Sequence, residues 1–174
     1  LREGSLRLSG PACSLGGLLW SSGAVLNFTG AAPGSAAALL IGAVVLLLAG
    51  MFGFHALYAG GMGGVGEAGF VQGFIGLGML GGGLVAEAFG LEAGRAASSF
   101  GFLILAFGLV LIGYSTFYNE TLPRWNFYPF VVAVFIPLDL LFGGMYRGVD
   151  LGLSVLFGLS WAGLGYLLWT KERG

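Results

Sequence analysis

The chain has 174 residues, of which 57% are hydrophobic and 9% charged, and its mean hydropathy is +0.93, whereas an ordinary soluble domain carries about 25% charged residues. So few charges cannot solvate the surface of a water-soluble fold, and seven Lys plus Arg against eight Asp plus Glu leave no basic patch for nucleic acid. One cysteine, Cys13, excludes an internal disulfide and a thiolate metal cluster, and reads as a small apolar residue of the first helix.

At about 20 residues per membrane span plus short loops, this length allows six crossings at most. Ser9 and Gly10 precede Pro11, a start signal for a first helix over 11–28. Arg2 and Arg7 followed by this apolar run have the layout of a signal peptide, with small residues at 31–37 for cleavage. The run is longer than a typical signal core, and Trp20 and Asn27 look like packing residues, so a retained span is expected. TGAAPGS at 29–35 is a turn, and the second span, 36–60, is the longest uncharged apolar stretch and holds the only histidine, His55. The glycine cluster at 60–66 breaks it.

Glu67 and Glu87 fall in a third span, 67–89, and the stretch between them, about 30 Å as a helix, matches the hydrocarbon core. A polar turn at 90–99 leads to a fourth span, 100–118. Pro123 stops any helix in the loop NETLPRW, the fifth span runs over 126–145 with a kink at Pro137, and the sixth covers 151–169. The expected fold is therefore an all-α, single-domain bundle of six transmembrane helices in a cell membrane. Arg2, Arg7, Arg124, Lys171 and Arg173 fall on the side of the termini, and Arg95 and Arg147 on the other, so both termini are expected in the cytoplasm. Tyr58, Tyr118, Trp125, Tyr128, Tyr166 and Trp169 gather at that same side as an interfacial belt.

Glycine supplies 35 residues. Pairs four apart, Gly69 and Gly73, Gly78 and Gly82, Gly158 and Ala162, read as faces for close helix packing. GMGGVGEAGF has neither the preceding strand nor the lysine of a nucleotide loop. A likeness between 46–60 and 105–119 is a weak internal repeat on which nothing is built.

Ionisable groups inside spans are costly and so become the functional candidates. His55 and Gln72 fall at similar depth near the cytoplasmic ends of an antiparallel pair, within reach of a mutual hydrogen bond and in one layer with Ser115 and Thr116. His55 is either a cofactor ligand, to haem or a chlorophyll magnesium, with Gln72 beside it, or a hydrogen-bonded structural histidine. Asp139, Glu87 and Asn27 form a second layer near the outer face, as transport or ion candidates. Asp139 there either carries a proton or cation, or is neutralised or paired with Arg147. The two layers lie roughly 10 Å or more apart in depth, too far for a His–Asp dyad. Asn27-Phe-Thr29 and Asn119-Glu-Thr121 match the glycosylation pattern but fall on opposite sides of the membrane. No nucleophile elbow, HExxH or paired metal ligands are present, so no catalytic or metal residue is assigned and no cofactor is required.

At TLPRW, 121–125, the chain resembles small uncharacterised bacterial multi-span membrane proteins in which an LPRW segment joins two spans. That resemblance implies a bacterial multi-span protein and carries no activity. Two functions are expected from the residues. The first is a non-catalytic accessory or scaffold unit that packs in the lipid bilayer against other subunits or a second copy, or binds an apolar ligand such as lipid or pigment. The alternative is a small transporter or proton-coupled channel using Asp139 and the His55/Gln72 layer, with a membrane enzyme on lipid or quinone ranked last.

Overall fold

The computed structural model describes residues 9–122, 125–143 and 146–172, without the side chains of 59, 143, 171 and 172. Among the described residues the chain is helical throughout, with no strand. Helix α1 (Ser9–Thr29) accepts Pro11 because the missing N–H falls in the first turn, where no helical partner exists. It ends at Gly30, whose φ of 65° lets its N–H return to the Leu26 carbonyl at 3.1 Å.

The next helical segment opens on Pro33, three residues earlier than expected, and contains a single non-helical residue, Gly63. Its φ of 63° and ψ of −176° occupy a region open essentially to glycine alone. That residue reverses the chain. Met51 lies on Gly73 and Val44 on Gly81, so α2 (Pro33–Tyr58) and α3 (Gly60–Ala88) are an antiparallel hairpin. The cluster at 60–66 is thus helical apart from one residue, and Glu67 sits inside α3, exposed, rather than marking its start.

Helix α4 (Ala93–Tyr118) begins seven residues before the expected span. The intervening turn is only four residues long. Leu91 N–H donates to the Ala86 carbonyl and Gly90 N–H to that of Glu87, each at 2.9 Å, the paired bonds of a Schellman motif. Gly94 and Ser98, expected in a loop, instead press α4 against Gly83 and Glu87 of α3. Helix α5 (Tyr128–Leu138) has 11 residues, and a π-turn, Asp139–Gly143, follows. Pro137 donates no hydrogen bond to the preceding turn, and the α-helix gives way to the π-turn two residues later. Helix α6 (Arg147–Glu172) completes the order.

Each helix runs antiparallel to the next, and α6 returns alongside α1. Glycine sets that seam: a Cβ at Gly17 would meet the Gly158 carbonyl and the Ala162 backbone, and one at Gly165 would meet Ser14. Ser14 donates to the Ala162 carbonyl at 3.2 Å and Ser21 to that of Val155 at 3.1 Å, so hydrogen bonds cross the same seam. Leu47, Leu77, Leu105, Leu109, Ile136 and Trp161 belong to the continuous core inside the ring. Outside it, large apolar side chains stand free, Phe52 at 62% and Phe117 at 65% exposure among them. Such a coat matches hydrocarbon, not water. Helices α2, α3, α4 and α6 are long and apolar enough to cross a membrane; α5 with its π-turn is a shorter apolar segment.

Candidate functional site

Among the described residues, and apart from the serines of the α1–α6 seam, polar side chains gather at three places. The first is the end of the bundle where α2 reverses into α3. The break at Gly63 leaves the Met62 carbonyl without a full helical partnership, and it accepts from Ser115 Oγ at 2.5 Å and Asn119 Nδ2 at 3.3 Å. One residue along α4, Thr116 Oγ1 donates to the Asn126 carbonyl at 2.7 Å, while Asn126 Oδ1 accepts from Leu122 N–H at 2.6 Å. These bonds tie the α2–α3 reversal to the loop before α5. Their chemistry is structural, because each partner is a backbone group.

His55 stands apart from this knot. Its ring meets Phe70 edge-on at 4.9 Å and Phe74 at 6.4 Å, on the outer side of the α2–α3 hairpin, where Phe52 and Phe74 also pair at 4.3 Å. Gln72 lies between those two phenylalanines in sequence, and two residues are about 200° of helix rotation, so it projects away from the histidine. No hydrogen bond joins His55 and Gln72 among the described residues, and Ser115 and Thr116 face the knot instead.

The second place is the α3–α4 turn. Glu87 accepts a hydrogen bond from Ser98 Oγ at 2.9 Å and, with Gly90, Leu91, Glu92 and Arg95, lines an open cleft of about 450 Å³. Asn27 is exposed at the end of α1.

Asp139 joins neither Glu87 nor Asn27. It opens the π-turn beside a small cavity lined by Trp20, Phe102, Ile136, Ser154 and Phe157, with about 10 Å³ for a water centre, the size of one molecule. Trp20 and Ser154 lie nine and seven residues from the nearer ends of α1 and α6, which places Asp139 about 10–14 Å inside the bundle. Trp20 Nε1 donates to Ser154 Oγ at 3.1 Å, whereas Asp139 Oδ1 is buried without a hydrogen-bond partner. Arg147, the expected counter-ion, lies over the Phe28 ring at 5.5 Å. Asp150 lies four residues before Ser154 on α6, and so on the same face one turn nearer the start of that helix, where it is exposed.

No family model, curated protein or solved structure matches the chain. Sequence reasoning placed Asp150 in a loop and passed over Ser154. The signal was their four-residue spacing, which puts both on one helix face once α6 starts at Arg147.

Proposed function

We propose that this chain is a non-catalytic, multi-pass membrane protein that packs against a second membrane-embedded surface through α3. The observation that carries it is the outer face of that helix. Gly69 and Gly73 are consumed by α4 and α2, and Gly158 with Ala162 by α1. Gly78 and Gly82 have nothing within 4 Å, and Val71, Ile75 and Val85 continue their stripe as exposed apolar side chains. A GxxxG step flanked by β-branched residues is a surface on which another helix can approach closely.

The same space makes the test clean. Gly78→Leu with Gly82→Leu is accommodated by the chain itself, so a loss of association does not reflect misfolding. Native mass spectrometry of gently extracted membranes is expected to find wild type with a partner subunit or second copy and the double variant alone. A wild-type monomer with neither sinks the reading.

All six helices crossing the membrane, with both termini cytoplasmic, belongs to this proposal. It is supported by the antiparallel order and by the side chains at the end shared by Tyr118, Trp125, Tyr128, Tyr166 and Trp169.

The small transporter is favoured by a different observation, the buried, unpartnered Asp139 oxygen at a helix discontinuity. It requires Asp139→Asn to abolish proton flux into liposomes while expression holds, and equal flux with wild type, variant and empty liposomes removes it.

A further inference from the structure

Three aromatic rings and two oxygens enclose one small space in the bundle. Trp20 of α1, Phe102 of α4 and Phe157 of α6 pack edge to face on one another, with ring centres 5.5 Å, 5.5 Å and 5.6 Å apart. They wall the cavity beside the π-turn, which has the size of one water molecule. Of the side chains that line it, Asp139 and Ser154 alone carry an oxygen.

Both oxygens have capacity to spare. Asp139 Oδ1 is buried without a hydrogen-bond partner. Ser154 Oγ uses one lone pair to accept from Trp20 Nε1 at 3.1 Å, which leaves its second lone pair for another donor and spends the indole N–H. An occupant that suits the cavity therefore donates to two oxygens at once. Charge narrows the choice further, because Asp139 lies about 10–14 Å inside the bundle and the described guanidinium groups are elsewhere. Arg147 is over Phe28, and Arg95 lines the cleft at the α3–α4 turn.

The small candidates differ in what they satisfy. Water donates twice but leaves the carboxylate charge uncompensated. A proton on Asp139 cancels the charge but neither fills the space nor reaches Ser154. Sodium takes its ligands from oxygen, and two are too few. Ammonium has nearly the volume of water, carries one positive charge, and offers N–H groups to both oxygens. Its remaining N–H groups lie against aromatic rings, which attract a cation.

We propose that this cavity binds one ammonium ion, held by Asp139 Oδ1 and Ser154 Oγ between the rings of Trp20, Phe102 and Phe157. The site requires neither association through α3 nor transport, and its test reads binding alone, so it can fail or stand separately from both readings above.

The indole N–H of Trp20 is the reporter, since it is bonded to the same Ser154 oxygen. In the full chain labelled with nitrogen-15 and held in detergent, its resonance is the one missing from Trp20→Phe. Replacing sodium chloride by ammonium chloride at neutral pH and constant ionic strength is expected to move that resonance along a saturable curve. The indole signals of Trp125, Trp161 and Trp169 should stay in place. Asp139→Asn keeps the volume of the side chain and removes its charge, and should weaken the ammonium response by about ten-fold or more. Unmoved signals from the other three tryptophans show that this variant is folded; if it is not, the salt comparison in wild type decides alone. A Trp20 resonance indifferent to ammonium overturns the site and leaves at most a bound water. So does one that potassium moves equally, or one that saturates at the same ammonium concentration in a folded Asp139→Asn.

Discussion

Glycine does opposite things in this chain depending on what lies opposite its missing side chain. At Gly17 a Cβ would strike the Gly158 carbonyl and the Ala162 backbone, neither of which can rotate away. At Gly78 it would enter open space. Gly17→Val should therefore destabilise the protein by about 3 kcal/mol through overpacking, while Gly78→Val changes stability by less than about 0.5 kcal/mol. Unfolding titrations of the two variants in mixed micelles check this, and equal stabilities would refute the reading of the α1–α6 seam. From sequence the glycines were legible as packing residues, but their partners were not. A GxxxG spacing says that two backbones can meet; it does not say which, and only the fold separates the faces used internally from the one left outside.

Among the elements, the α2–α3 and α4 boundaries show what periodicity hides. A cluster of five glycines and a polar stretch such as GLEAGRAASS look like loops, because glycine and serine are poor helix formers in water. In this interior they are the residues that let helices touch, so Gly66, Gly69, Gly94 and Ser98 are helical for the sake of packing. Existence and order of the helices were readable; ends were not, since the gain that extends them comes from neighbours. Pro137 was readable as a kink, yet the 11-residue length of α5 was not. A π-turn depends on how the chain recovers after proline, and nothing in LDLLFG announces it. Depth puts His55 and Gln72 in one layer, but rotation about the α3 axis brings Phe70 and Phe74 to the histidine.

For the whole molecule, the sequence spoke most clearly about solvent. The apolar coat of Phe52, Phe107, Phe117 and Leu141 is what a charge content of 9% demands. The proposed orientation makes a definite prediction. In a Cys13→Ala background, Glu92→Cys lies at the turn between α3 and α4 and Tyr118→Cys at the opposite end of α4. A membrane-impermeant maleimide added to intact cells should label the first and reach the second only after permeabilisation. The reverse pattern would invert the bundle.

The seam between α1 and α6 also has a meaning in time. A ribosome finishes α1 well over a hundred residues before α6 exists, and the serines and glycines of α1 that will face α6 have no partner in the interval. Such long-range closure is slow and leaves a surface open to mispairing while it waits. Throughout synthesis α1 can lean on α2, through Gly16 on Leu47 and Gly23 on Leu40, but its other side stays vacant. The face of α1 that α6 will cover is therefore the last part of this seam to find its partner, and it does so only when α6 arrives.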